Sequence, residues 1–304
     1  MDDRYPIPHM HDLNSKLKGC KKFSVLDLQK GYYQIPMAKG DIPKTAVITP
    51  FGCFEFLRMP FGLKNAAQAF QRLMDSIFSG LPFTFIYLDD ILIASPDSST
   101  HYEHLRQVFK LLSDHGLILN RNKCAIHQDE LTFIGHQVSL SGIAPLRERV
   151  AQIESMVVPT NKAEVQRFLG MINFYRRFVP NMAQVVLPLT ELTKGKAKSV
   201  TWNQEAQAAF DTVKAALANA TMLVHPSSSS QTTLTTDASD TAIGAELAQR
   251  QDDSTWKPLA FFSRKLTVAE KNYSTLDREL LAIYAAIHHF RYFVEGRPFT
   301  VLSH

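Results

Sequence analysis

The sequence predicts an α+β protein, and three observations carry the prediction. Strand and helix signals alternate over roughly the first 140 residues, and a basic helical stretch follows from about residue 143. After a polar break at residues 226–230, short strands return ahead of one long helix. Taken in order, Phe23-Ser24-Val25-Leu26-Asp27-Leu28 reads as a strand ending in an acid, and Thr45-Ala46-Val47-Ile48-Thr49 as another. Residues 64–78 read as a helix, because Ala67, Phe70, Leu73, Met74 and Ile77 recur at three- and four-residue steps. Phe83-Thr84-Phe85-Ile86 and Ile91-Leu92-Ile93-Ala94 flank Tyr87-Leu88-Asp89-Asp90, which suggests a β-hairpin whose tight turn carries an acidic pair. Thr100 and Glu103 have capping-box spacing for a helix with Leu105, Val108, Phe109 and Leu112 on its apolar face, and Gly116 is placed to stop it. Leu131-Thr132-Phe133-Ile134 returns as a strand. Helices crossing one face of a small antiparallel sheet account for this first region.

Further on, Asn161 and Glu164 cap a helix carrying Val165, Phe168, Leu169 and Ile172, and a second apolar helix spans residues 206–217. Pro226 and four successive serines, 227–230, read as a domain boundary. Strands are expected at 232–236, 243–248 and 258–262, a helix at 276–293 and a last strand at 299–302. The expected domains are therefore 1–142, 143–226 and 231–304, with no internal repeat.

The composition, 45% hydrophobic and 20% charged over 304 residues, excludes a disordered chain and allows two or three domains, each with its own core. No apolar run approaches the ~18 residues of a spanning helix. The N-terminus lacks an apolar signal core, so the expectation is an intracellular protein of cytoplasm or nucleus with no membrane partner. Cys20, Cys53 and Cys124 are odd in number and lack metal-ligand spacing, which favours reduced thiols. Between Arg147 and Lys198, nine Lys/Arg stand against four Glu, an excess larger than the +4 of the whole chain. Such a segment either tracks a phosphate backbone or forms solvated helix faces; charge alone does not separate the two.

Two adjacent carboxylates between apolar strands are costly to bury without a neutralising partner, and hard divalent cations accept carboxylate oxygens. An isolated Asp-Asp is ordinarily a solvated turn. An acid at a strand end, Asp27, together with the Asp89-Asp90 doublet is a more demanding pattern. Three such carboxylates could hold two Mg²⁺ for an in-line displacement at phosphorus.

The segments 23–35 (FSVLDLQKGYYQI), 59–72 (MPFGLKNAAQAFQR), 87–90 (YLDD), 131–136 (LTFIGH) and 168–178 (FLGMINFYRRF) resemble a reverse transcriptase of gypsy-like long-terminal-repeat retrotransposons, in the expected order and over nearly the whole chain. The resemblance implies a polymerase palm (an antiparallel sheet with helices on one face), a helical thumb and connection, and a partial RNase H-like α/β domain. By the same resemblance Asp27, Asp89 and Asp90 are the catalytic acids that hold Mg²⁺ or Mn²⁺. Tyr32 is the side chain that excludes a ribose 2′-OH, and Phe61, Gly62, Lys64 and Asn65 lie beside the incoming dNTP. Lys123 falls where a proton donor for pyrophosphate is placed. Arg72, Tyr87, Gly135, His136, Arg176 and Arg177 are implied to contact template and primer, of RNA or DNA. Asp237 and Glu279 match the first two metal acids of the RNase H site.

Two departures limit these expectations. The sequence starts at the Arg4-Tyr5-Pro6-Ile7-Pro8 stretch, so the basic residues that clamp a triphosphate are expected to be missing. Where the family carries a third RNase H acid, Leu302-Ser303-His304 places Ser303, and a serine cannot supply negative charge to two dications. That domain is expected to be inactive as a nuclease, with its last strand short of partners. The function expected is RNA-directed DNA polymerisation; the alternative is an inert Pol remnant that only binds nucleic acid.

Overall fold

In the computed structural model the chain is described over residues 2–8, 13–14, 16–195 and 199–303; Lys196 and Lys198 of the basic segment lie outside them. The chain divides into two compact units, Met1–Phe133 and Ile134–His304.

The first unit is built on a four-stranded sheet. The strands of this unit are β1 (Lys22–Asp27), β4 (Thr84–Tyr87), β5 (Asp90–Ser95) and β6 (Ala125–Gln128) in that sheet, with the short hairpin β2 (Val47–Thr49) and β3 (Gly52–Phe54) and the strand β7 (Glu130–Phe133) outside it. The sheet order is β4-β5-β1-β6, antiparallel throughout. Helices α1 (Ala66–Phe78) and α2 (Ser98–Asp114) cover one face. Phe70, Met74 and Ile77 of α1 and Leu105, Val108 and Leu112 of α2 pack there on Leu26, Ile86, Ile91 and Ile93. Because strand side chains alternate, this packing commits Val25, Asp27, Tyr87, Asp90 and Leu92 to the opposite face.

Helix α2 begins two residues before the expected cap. Asp97, not Thr100, is the N-cap: its carboxylate accepts from the Thr100 N–H at 2.9 Å and from the Thr100 hydroxyl at 2.9 Å. A carboxylate satisfies both donors and also meets the positive helix end, so it outcompetes the threonine. The stop is as expected. Gly116 (φ +65°) donates its N–H to Ser113, and Leu117 donates to Leu112, the paired bonds of a Schellman end.

Beneath α2 lies a buried polar cluster. His101 is fully buried, with the Ser24 hydroxyl 2.7 Å from one ring nitrogen and the Ser95 hydroxyl 2.7 Å from the other. Burial, reinforced by His127, His104 and Lys22, lowers its pKa from 6.5 to about 4. In the second unit, burial first and cationic neighbours second also lower His136 to about 3 and His289 to about 4. Each is held neutral when folded, so its contribution to stability is present above 6.5 and is lost as pH falls toward 4. The urea midpoint is accordingly expected to drop between pH 6.5 and 4; a flat midpoint over that window would contradict the assignment.

The second unit opens with a hairpin, β8 (His136–Ser139) and β9 (Gly142–Pro145), so the helical region begins at Arg147 and not at residue 143. Helices α3 (Arg147–Glu154), α4 (Lys162–Tyr175) and α5 (Gln204–Ala218) follow. The Asn161 side chain caps α4 by accepting from the Glu164 N–H at 3.0 Å. Strands β10 (Thr232–Ala238), β11 (Ala242–Arg250) and β12 (Trp256–Lys265), helix α6 (Thr275–His289) and strand β13 (Thr300–Ser303) complete it. The sheet order is β12-β11-β10-β13, and α6 seats Ala286, with Phe290 just beyond its end, on Leu234 and Leu247. The last strand does have a partner: β13 pairs parallel with β10 from Thr233↔Thr300 to Thr236↔Ser303.

The serine stretch is no slack linker. The Ser227 N–H donates to Oε1 of buried Gln249 at 2.8 Å, and Gln249 donates back to the Ser227 carbonyl at 2.9 Å and to the Thr232 hydroxyl at 2.9 Å.

Candidate active site

Strand register assembles the acids. Asp27, the last residue of β1, is the direct cross-strand partner of Asp90, the first residue of β5, and Tyr87 pairs with Asp90 from the other side. Directly opposed side chains have Cβ atoms about 5 Å apart, so the two carboxylates share one patch of the helix-free face. Leu88 and Asp89 form the two-residue turn, with Leu88 in the left-handed region (φ +54°). The Asp89 carbonyl accepts from the Leu28 N–H at 3.2 Å, which ties the turn to the end of β1.

Asp90 feels this crowding. Burial first, then the charges of Asp89 and Asp27, raise its pKa from 3.8 to about 6, with Lys123 opposing. Lys123 Nζ lies 3.4 Å from Asp27 Oδ2, so its ammonium partly neutralises the acids. Among the described residues no three His, Cys, Asp or Glu side chains converge as they stand on a metal-sized point. The donor set is nevertheless of the hard-oxygen type that Mg²⁺ and Mn²⁺ take, and the mutual repulsion of the carboxylates favours a cation among them.

Tyr32 stands beside the acids. Burial and then the charges of Asp89 and Tyr87 raise its phenol pKa. Its ring meets Phe61 edge-on at 5.5 Å and Phe70 at 5.2 Å, and Phe61 also meets Tyr33 at 5.3 Å. Phe61 is otherwise exposed, and Gly62 turns the chain behind it at φ +88°. The expected basic contacts are already engaged: Lys64 with Asp2 at 2.5 Å, and Arg72 with both oxygens of Asp3 at 2.6 and 2.8 Å. Arg72 also lies over the Tyr5 ring, and Asn65 accepts from the Asp3 N–H at 3.2 Å.

Two residues that sequence reasoning missed hold the turn. Gln71 is fully buried; its Oε1 accepts from the Leu88 N–H at 2.8 Å, and its Nε2 donates to the Ile86 carbonyl at 3.2 Å and to Asp75 at 2.9 Å. Gly31 leaves the space that Asp89 fills: a Cβ there would lie 3.1 Å from the Asp89 Cβ and 3.0 Å from the Phe70 ring. Neither carries a local signal, since a glutamine in a helix and a glycine before two tyrosines are ordinary.

The chain resembles known proteins along its length. Residues 1–138 match the family described as reverse transcriptase (RNA-dependent DNA polymerase), and residues 202–301 match the RNase H-like domain found in reverse transcriptase. The chain belongs to the reverse transcriptase family. It is 41% identical, over 99% of its length, to the retrovirus-related Pol polyprotein from transposon 297 of Drosophila melanogaster, covering 28% of that protein. It is 36% identical, over 98% of its length, to the transposon Tf2-3 polyprotein of Schizosaccharomyces pombe, covering 23%. It thus spans about a quarter of these relatives. Two solved structures of a foamy viral protease–reverse transcriptase, one with double-stranded DNA and one with an RNA/DNA hybrid, superpose over the whole chain with a TM-score of 0.89 at 25% identity. The chain covers 53% and 41% of those two proteins. The first unit is therefore a reverse-transcriptase palm, and the sheet β12-β11-β10-β13 is RNase H-like.

Within the RNase H-like sheet, Asp237 is exposed near the end of β10, next to Thr236, which pairs with Ser303. The Ser303 hydroxyl donates to Glu279 Oε2 at 3.0 Å, so one oxygen of this carboxylate is already engaged. Further toward the N-terminus, Gly135 (φ +71°) packs under the Phe174 ring and accepts from the Tyr175 hydroxyl at 3.2 Å. His136 is buried, with Nδ1 2.7 Å from the Ile134 carbonyl. Arg176 donates to the Ser263 carbonyl, and Arg177 lies over the Phe178 ring with Nε and Nη2 sealed from solvent. His136, Arg176 and Arg177 are thus turned into the protein, against the expectation that they meet nucleic acid; packing among Phe174, Tyr175 and Phe178 holds His136 there. Arg149 and Arg167 are exposed and line a cavity of about 550 Å³ with Gly135 and Phe174. Only their general basic character was readable.

Proposed function

We propose that the chain extends a primer 3′-OH with dNTPs on an RNA or DNA template, as an RNA-directed DNA polymerase of retrotransposon origin. The observation that carries this reading is the Asp27↔Asp90 pairing on the helix-free face, with Asp89 in the adjoining turn. Asp27, Asp89 and Asp90 hold Mg²⁺ or Mn²⁺, which when bound lowers the pKa of the primer hydroxyl and neutralises charge on the triphosphate. Tyr32, braced by Phe61 and Phe70, walls the sugar site and excludes a 2′-OH. Gly62, Lys64 and Asn65 border the nucleotide, Tyr87 and Arg72 face the primer and template, and Lys123 donates a proton toward pyrophosphate. Gly135, Arg149 and Arg167 border the duplex, which is recognised through shape and backbone. We divide the chain into a palm with a part of the fingers (1–142), thumb and connection (143–226) and an RNase H-like segment (231–304), inactive because of Ser303. No helix among the described residues is long and apolar enough to cross a membrane; we place the protein in cytoplasm or nucleus.

The test is primer extension on poly(A)/oligo(dT) with Mg²⁺ or Mn²⁺. Incorporation lost on chelation supports the polymerase. Absence of extension with either ion, beside salt-sensitive hybrid binding, supports the second reading, an inert remnant that only binds nucleic acid. That reading draws on the Asp2–Lys64 and Asp3–Arg72 pairs, which already occupy cations the substrates need. If the polymerase is active, Gly31→Ala should reduce extension about tenfold by pushing on Asp89, and should also lower the thermal midpoint, because the new Cβ presses on the buried Phe70 ring. Unchanged extension would show that the turn tolerates the shift.

A further inference from the structure

The serine loop, which the polymerase reading leaves without a role, forms part of a cavity of about 460 Å³ at the start of β10. The cavity is lined by Ser228, Ser229, Trp256, Arg297 and Thr300, among others. It is distinct from the RNase H-like acids: from Thr232 to Asp237 the strand advances about 16 Å. Its serine side is held in place. The loop is pinned through Ser227 to buried Gln249, and the Ser227 hydroxyl accepts from the Ser229 N–H at 3.3 Å and lies 3.1 Å from the Ser229 hydroxyl, with Ser228 and Ser229 both exposed. Gly296 (φ +70°) turns the chain so that Arg297 leads into β13. Among the described residues Arg297 has no ion-pair partner, whereas Arg291 spends its charge on Glu295 at 2.9 Å. Two acids near the cavity in sequence are engaged, Glu295 by Arg291 and Asp253 by Thr255. Trp256 leaves 48% of its surface exposed beside these groups.

A planar indole, an unpaired guanidinium and several hydroxyls answer the three parts of a nucleotide: base, phosphate and sugar edge. We infer that this cavity binds one phosphate-bearing nucleotide of a single-stranded nucleic acid, its base stacked on Trp256 and its phosphate on Arg297 and the Ser228–Ser229 hydroxyls. The choice of ligand class rests on the nucleic-acid reading above; the cavity itself does not.

Intrinsic fluorescence tests it, because the chain has only two tryptophans, Trp202 and Trp256. In full-length protein carrying Trp202→Phe, titration with a six-nucleotide oligo(dU) should quench the remaining emission saturably. Arg297→Gln should weaken that binding about tenfold, the usual loss when a charged hydrogen bond is removed. Circular dichroism confirms that both variants fold. No saturable quenching, or equal affinity in Arg297→Gln, overturns the proposal. A peptide or free phosphate that quenches where oligo(dU) does not would also overturn it. Primer extension on a preformed duplex reports separately, so failure of the polymerase and failure of this site are told apart.

Discussion

Asp90→Asn is expected to reduce primer extension by about a thousandfold or more, while making the metal-free protein slightly more stable at about pH 7.5. The first effect follows from geometry. Asparagine keeps the shape of the side chain opposite Asp27 but removes one of three negative charges that together attract divalent ions. The second follows from the raised proton affinity of Asp90. Its folded pKa of about 6 stands above the ordinary 3.8, so this carboxyl supports the fold fully below pH 3.8, and that support is lost as pH rises through 6. Asparagine is neutral at every pH and escapes the loss, worth about 3 °C in thermal midpoint for a unit of this size. Melting curves in EDTA at two pH values, beside extension assays, measure both. A variant that loses activity and stability together would mean that Asp90 is mainly structural; retained activity would sink the polymerase assignment.

Gln71→Leu should act through a different route. The leucine fills similar space but leaves the Leu88 N–H and the Ile86 carbonyl without their buried partners. Each orphaned group costs about 1–3 kcal/mol, so the loss is about 3 kcal/mol in all. Because Leu88 precedes Asp89 in a turn with positive φ, releasing it also lets the acid wander, and extension should fall about a hundredfold even at temperatures where the variant is folded. Urea denaturation gives the first number and single-nucleotide incorporation at 20 °C the second. Normal incorporation in a destabilised variant would confine Gln71 to the fold.

Much of this was legible in the sequence, and the exceptions share a cause. The strand ending in Asp27 and the Tyr87-Leu88-Asp89-Asp90 hairpin announce themselves through local periodicity and turn chemistry, and the structure puts them side by side. The cap of α2 was misplaced by three residues because Asp97, Ser98, Ser99 and Thr100 are all competent caps; only the bonds made decide among them. Gln71, Gly31 and Gln249 act across 15 or more residues of sequence, through a hairpin turn, a close approach and a loop, none of which leaves a periodic trace. The pairing of β13 with β10 is of the same kind: a parallel partner 67 positions away. Arg176 and Arg177 misled because charge in a sequence does not say which way a side chain turns.

The β1–β5 register has a consequence for how such a protein can change. Asp27 and Asp90 meet because both strands keep their count from Lys22↔Ser95 onward. Inserting or deleting one residue inside either strand would carry its acid to the helix-covered side and bring an apolar neighbour into its place. Length variation should therefore be tolerated in the loops and refused in these two strands. In a library of random single-residue insertions, survivors should cluster outside residues 22–27 and 90–95.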